Sequence, residues 1–363
     1  MNALAVMKRI NKLLENLKES GIDGFLISSV PNVTYLSDFT GDSSILVVTS
    51  NRCMLLTDGR YTEQAQQECP AEIEIFKWIN NKRFGIETYQ HVIGELKIKR
   101  LGFEGQIMSY SSYEALRKGL LQVDLVNLEG RIEKIRMCKD PNEIGNLEEA
   151  CRISVKALET TLPYIKEGIT EKELAARLDF NLREQGADAI SFDTIVLTGA
   201  RTSLLHGKPE NHAIKKGDLV LFDFGALYKG YHADISRVFM VGSADAQQKE
   251  VYEIIRQGQM AAVQAIIPGI SGRRPDEIVR KHIPDKYIPY YYPGLGHGVG
   301  LQIHEEPFIG QASETMLEKD MVLTVEPGIY IPGWGGIRIE DTVWVNENSA
   351  KILSEFSREL IVL

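Results

Sequence analysis

Two segments of this chain each carry an acidic pair. LVLFDFGALYKGYHADISRVF holds Asp223 and Asp234, and MVLTVEPGIYIPGWGGIRIEDTVWV holds Glu326 and Glu340. Between them lies GLGHGVGLQIHEEP, with His297 and His304. The acidic residues sit in or just after apolar, strand-like runs, where an unpaired charge is costly. Carboxylates gathered at one place repel one another and are driven toward protonation. A cation removes that penalty, so four carboxylates and one imidazole suit two divalent metal ions and a hydrolytic site. Oxygen-rich ligands with a single nitrogen favour hard or borderline ions: Mn²⁺ first, with Co²⁺ or Zn²⁺ also compatible. The cysteines are not paired in the spacing of a sulfur-based zinc site.

Taken singly, each of these residues has an ordinary structural explanation. Asp223 could be a strand-end turn residue, Asp234 a surface strand residue and His297 a structural histidine. Together they argue for a site. A short turn from Leu227 to Gly230 separates the two aspartates, so they can lie side by side on adjacent antiparallel strands. Glycines flank His297 and let the backbone come close. Glu326 ends the run MVLTV before Pro327-Gly328. On IRIEDTV, alternation places Arg338, Glu340 and Thr342 on one face and Ile337, Ile339 and Asp341 on the other. Arg338 is therefore expected at the site, and Asp341 in a structural or supporting place.

The elements that must position these residues fall into two groups. Residues 4–20 have helical spacing (Leu4, Met7, Ile10, Leu14, Leu17), ended by Gly21. Strands are expected at 24–29, 44–50, 72–78 and 100–105. Another precedes a turn at Asp58-Gly59, which leads into a helix, and a further helix fits 111–121. VDLVNLEG closes this α/β half. A charged helical stretch runs from 131 to 165, with a helix start at Pro141 near Asp140. A second helix over 170–186 opens with the capping pattern Thr170…Glu173. Strands at 192–198 and 218–241, helices at 246–267 and 275–282, and strands through most of 297–345 complete the chain. The boundary is placed close to residue 130, giving domains 1–130 and 131–363. Within the second domain, helices followed by an acidic hairpin occur twice, an architectural pseudo-repeat.

The chain has 363 residues, 44% hydrophobic and 25% charged, with a net charge of −9. That composition fits a soluble protein with a large core and argues against a nucleic-acid footprint. Cys53, Cys69, Cys138 and Cys151 are widely spaced and read as free thiols of a reducing compartment. The N-terminus lacks the pattern of a signal peptide, and no apolar run reaches about 18 residues. The expected location is the cytoplasm, with no membrane partner.

The segments DFG…Asp234-Ile235-Ser236-Arg237, GHGVGLQIHEEP, TVEPGIY and GIRIEDTV resemble the ligand motifs of the pita-bread metallopeptidases. That family includes methionine aminopeptidase, aminopeptidase P and Xaa-Pro dipeptidase. The first part, with PNVTYLSDFTG and DGRYTEQA, resembles the creatinase-type domain of the proline-directed members. The resemblance implies an α/β creatinase-type N-terminal domain, for assembly and substrate-length selection, and an α+β pita-bread catalytic domain with a pseudo-twofold repeat. It implies that Asp223 is a terminal ligand of one metal, that Asp234 and Glu340 bridge, and that His297 and Glu326 bind the second metal. His206, in LLHGKP, and His304 match histidines near the substrate, with His304 at the scissile carbonyl. Arg338 matches the arginine two residues before the last glutamate. His212 and His232 match nothing, and Pro293 stands where many relatives have a histidine, preceded by Tyr290, Tyr291 and Tyr292.

The implied reaction is hydrolysis of the bond before proline. Two metals activate water, Glu326 carries the proton to the leaving nitrogen, and His304 donates to the oxyanion. His206 and Arg338 are expected to orient the far side of the substrate, Arg338 through a carboxylate. An Xaa-Pro dipeptidase is the leading expectation and aminopeptidase P, acting on longer peptides, the alternative. A metal-free creatinase-like hydrolase or a non-catalytic binding module ranks below both. Proline-containing peptides are the expected partners, and a homodimer the expected assembly.

Overall fold

The apolar runs of the first 130 residues pair into a six-stranded mixed sheet. Its strands lie in the order Ile73–Lys77, Cys53–Thr57, Ser44–Thr49, Gly24–Ile27, Arg100–Phe103, Asp124–Asn127. The three central strands run antiparallel and the outer ones join parallel, as the alternation with helices requires. These features come from the computed structural model of the chain, which describes residues 3–82 and 84–363.

Helix Ala3–Leu17 buries Val6, Ile10, Leu13 and Leu17. The buried stripe thus follows a 4-3-4 spacing, close to the helical turn. It differs from the row expected through Leu4 and Leu14, and Leu4 stays in solvent. Two helices escaped the sequence reading. Val30–Ser37 begins with a proline in its first turn, and Ile86–Glu95 follows a turn-rich stretch. The chain divides into two units, Met1–Arg136 and Met137–Leu363. The division lies beyond residue 130 because Arg136 is buried in the first unit, with Nη1 donating to Asn32 Oδ1 at 2.7 Å.

The second unit begins with helices Pro141–Thr161 and Glu171–Glu184. Asp140 and Thr170 cap them, each in a full capping box with the glutamate three residues on. Strands Ile195–Thr198, Leu219–Phe224 and Ile235–Met240 then form an antiparallel sheet. The expected turn between the two aspartates is a small hairpin, Ala226–Tyr228 with Tyr231–His232, turning at Lys229-Gly230. On Leu219–Phe224, Leu219 and Leu221 enter one apolar cluster, and Val220, Phe222 and Phe224 enter another with the two helices. Both faces of the sheet are thus covered. By parity, Asp223 shares the face of Leu219 and Leu221 at the strand's end.

Helices Ala246–Ala265 and Arg274–His282 come next. Five antiparallel strands follow in the order Glu305–Gly310, Gly294–Gly298, Val322–Val325, Asp341–Val345, Ala350–Ile352. A hairpin, Gly328–Ile331 with Gly335–Arg338, projects between the third and fourth. Each half of the unit therefore runs helices first and then antiparallel strands bearing an acidic pair.

Candidate metal centre

Strand pairing brings the first acidic pair together. Asp223 lies directly opposite Ser236, which puts Asp234, two residues earlier, on the same face. The second pair comes from the ends of the strands around the projecting hairpin. Regular pairing stops at Arg338 and resumes at Asp341, yet the expected alternation survives the break. Ile337 and Ile339 are in the core, while Arg338 and Glu340 line the cavity. His297 arrives on Gly294–Gly298. A Cβ at Gly296 would lie 2.1 Å from the Thr324 carbonyl oxygen, and one at Gly298 would lie 2.3 Å from that of Glu306. The strands beside His297 close only because its neighbours are glycines.

All five expected ligands line one cavity of about 520 Å³. One ligand atom each from Asp234, His297 and Glu340 lies within 4.8 Å of the others, and all three residues are buried. His297 Nε2 is 3.6 Å from Asp234 Oδ2 and 3.5 Å from Glu326 Oε1. Its Nδ1 is 3.1 Å from the Gly298 carbonyl oxygen, which orients the ring and leaves Nε2 toward the carboxylates. Thr324 links His297 and Glu326. Its hydroxyl accepts from the His297 amide at 3.1 Å and donates to Glu326 Oε1 at 3.3 Å.

The electrostatics explain why these groups call for a cation. At an effective dielectric near 20, two charges this close repel by about 3 to 4 kcal/mol. Burial, together with the neighbouring Glu340, Asp223 and Glu326, holds the Asp234 carboxyl well above the ordinary range. Glu340 is raised in the same way by burial, Glu326 and Asp223. Burial pushes Glu326 up to about 7, against the opposing pull of Arg338. The His297 imidazole is pushed down to about 4 by burial and by His304, so it is neutral and able to ligate. Asp234 Oδ1 and Glu340 Oε1 are buried with no hydrogen-bond partner. Leaving such atoms unsatisfied costs about 1–3 kcal/mol each. Orphaned oxygens beside a neutral imidazole are the donor set of a metal site, so the residues fit divalent ions.

The remaining expected residues divide. His206 and His304 both reach the cavity and are exposed. The His304 ring meets His297 edge-on, with centroids 4.3 Å apart, and burial and His206 lower its pKa. His206 sits on a stretch held at both ends by one buried carboxylate. Glu171 Oε1 accepts from Arg201 Nε at 3.0 Å, and Glu171 Oε2 accepts from the Glu210 amide at 2.9 Å. Arg338 does not extend a free guanidinium toward a substrate. Its Nε donates to Ser236 Oγ at 2.8 Å, its Nη1 to the Tyr330 hydroxyl at 2.9 Å and its Nη2 to Asp223. The guanidinium is occupied in orienting Asp223.

Ser236 also donates to Glu340 Oε2 at 2.6 Å, so one hydroxyl joins the two acidic pairs. The sequence reading passed over Ser236 and Tyr330. Ser236 was findable, being two residues from Asp234 and so on its face. Tyr330 carried no such mark. Asp341 is structural, as expected. It is fully buried and accepts from Arg237, Arg358, Gln259 and Ser354 at 2.6–3.1 Å. Arg237 also donates to the carbonyl oxygens of Glu340, Phe356 and Ser357. His232 lies with Nδ1 3.0 Å from both oxygens of Ser191, and His212 sits in solvent beside Glu210. The tyrosine run splits three ways. Tyr291 is buried with its hydroxyl on Asp276, Tyr292 and Pro293 line the cavity, and Tyr290 is exposed.

Comparison with known proteins bears on this geometry. Metallopeptidase family M24 matches residues 145–347, and the creatinase/prolidase N-terminal domain matches residues 9–138. An uncharacterized peptidase of Bacillus subtilis, YqhT, is 40% identical over 98% of this chain and 100% of its own. An Xaa-Pro dipeptidase structure from Bacillus anthracis superposes with a TM-score of 0.94 at 38% identity, covering 99% of this chain and 100% of that one. An X-Pro aminopeptidase structure from Thermotoga maritima gives 0.90 at 36% identity, covering 98% and 99%.

Proposed function

The chain belongs to metallopeptidase family M24, with a creatinase-type N-terminal domain and a pita-bread catalytic domain, and on that premise we propose that it hydrolyses the bond before proline in Xaa-Pro dipeptides. The observation that carries this reading is the convergence of Asp223, Asp234, His297, Glu326 and Glu340 on one apolar-walled cavity. These five residues would hold two divalent ions, Mn²⁺ in the first instance, with Co²⁺ or Zn²⁺ as substitutes. Such ions, when bound, supply carbonyl polarisation and a water of lowered pKa.

The chain's own groups do the rest. Glu326 is the carboxylate placed to take a proton and return it to the proline nitrogen as the bond breaks. His304 donates a hydrogen bond to the carbonyl oxygen as charge develops there. Phe192, Ile195 and Leu205 give the proline ring an apolar wall. That wall suits a tertiary amide, whose nitrogen has no hydrogen to donate. His206 is positioned to meet the free carboxylate of a dipeptide. Arg338 serves chiefly to orient Asp223. The N-terminal unit serves assembly and substrate-length selection in a homodimer. Cys53, Cys69, Cys138 and Cys151 are all free thiols, in keeping with a reducing cytoplasm.

A second reading, removal of the first residue from longer Xaa-Pro peptides, is favoured by one observation. Among the described residues, Arg338 is the only lysine or arginine lining the cavity, and it is engaged by Asp223. Rates on Ala-Pro and Ala-Pro-Ala, with Mn²⁺, Co²⁺ and Zn²⁺ in turn, separate the two. Faster cleavage of the dipeptide is the expected result. Cleavage confined to the tripeptide would establish the second reading.

A further inference from the structure

The short stretch Leu301–His304 carries His304 into the cavity without belonging to a strand, so something other than sheet pairing must fix it. Directly after it, Glu305 turns the other way, into the protein. Its side chain is 6% exposed, and it meets the Lys139 ammonium, 1% exposed, at 2.7 Å. Its second oxygen accepts from the Gln302 amide at 3.3 Å. A Cβ at Gly300 would fall 2.4 Å from Glu305 Oε1, so the carboxylate packs against the backbone where the stretch begins. Gly300 in turn donates to the Gln302 carbonyl and accepts from the His232 amide, at 3.1 and 2.9 Å. Lys139 is itself anchored, its amide donating to the Asp320 carbonyl at 2.8 Å and its ammonium to that of Met137 at 3.3 Å. Neither Lys139 nor Glu305 lines the cavity.

From this arrangement we infer that Glu305, held by Lys139, is a positioning residue for His304. The carboxylate closes residues 300–305 from the inside, and the adjacent imidazole is thereby presented to the cavity from the outside. The ion pair has no part in holding metal and touches no substrate. Its effect on turnover passes through the histidine. The inference rests on the role given to His304 in the proposed reaction.

A double-mutant cycle on the metal-loaded, full-length enzyme with Ala-Pro tests it. Glu305→Gln is expected to lower kcat about tenfold or more. KM and bound metal per chain should be unchanged. In a His304→Ala background, the same substitution should change kcat by no more than about twofold. Multiplicative losses in the double variant, or loss of metal from Glu305→Gln, would overturn the inference. Removing one partner of a buried pair strands the other charge. If Glu305→Gln does not fold, the neutral pair Lys139→Met/Glu305→Gln enters the same cycle. An unimpaired His304→Ala enzyme would sink the proposed reaction itself. An impaired His304→Ala with multiplicative Glu305→Gln would sink the positioning role alone.

Discussion

The orphaned oxygens of Asp234 and Glu340 are what separates this cavity from an ordinary buried polar cluster. Replacing either residue by alanine is expected to abolish turnover and to leave less than the full metal content after dialysis. Near-normal turnover by metal-replete Asp234→Ala would contradict its place in the site. Protonation gives a second handle. Asp234, Glu326 and Glu340 are raised in the folded chain from ordinary values of 3.8 and 4.5, Glu326 to about 7. Their contribution to stability is complete below the unfolded values and is lost as pH rises through the folded ones. His297, lowered from 6.5 to about 4, acts in the opposite sense, but only below 6.5. Between about pH 6.5 and 8.5, therefore, the metal-stripped protein should lose melting temperature as pH rises. Mn²⁺ should raise it most at the alkaline end. A flat melting profile in chelator over that window would count against the carboxylate cluster.

At the scale of elements, local signals and long-range contacts contributed unequally. The helix starts at Asp140 and Thr170 were plain in the sequence because each is marked locally, one by Pro141 and the other by a glutamate three residues on. So were the acidic pairs, since a carboxylate inside an apolar run stands out. The helix Val30–Ser37 was not, because eight residues starting at Val30-Pro31 look like a loop until tertiary packing stabilises them. Alternation put Arg338 at the cavity, but its contact with Asp223 was not foreseen. Alternation says which face a side chain takes, not that Asp223, 115 residues earlier, will reach it first. A capping change provides a control for effects at a distance from the site. Asp245 caps the helix Ala246–Ala265 in a box with Gln248. Asp245→Ala should cost about 1 kcal/mol. That corresponds to a fall of roughly 2–4 °C in Tm. Its kcat should be that of the parent, and a large loss of activity would show that the helix start matters to the site.

For the molecule as a whole, the proposed homodimer predicts a light-scattering mass of twice the chain at micromolar concentration. A monomer with full activity would remove assembly from the functions of the N-terminal unit. Within the catalytic unit, the chain returns late to finish what it began early. Asp341, beside Glu340, is locked by Ser354 and Arg358, and Arg237 ties the Glu340 carbonyl to those of Phe356 and Ser357. Domains fold as units while synthesis proceeds. The segment that braces Glu340 is made after both acidic pairs. Capture of ions in their final arrangement must then wait for residues 354–358 to pack, and until they do the carboxylates stand apart and ionised, as ordinary acidic side chains.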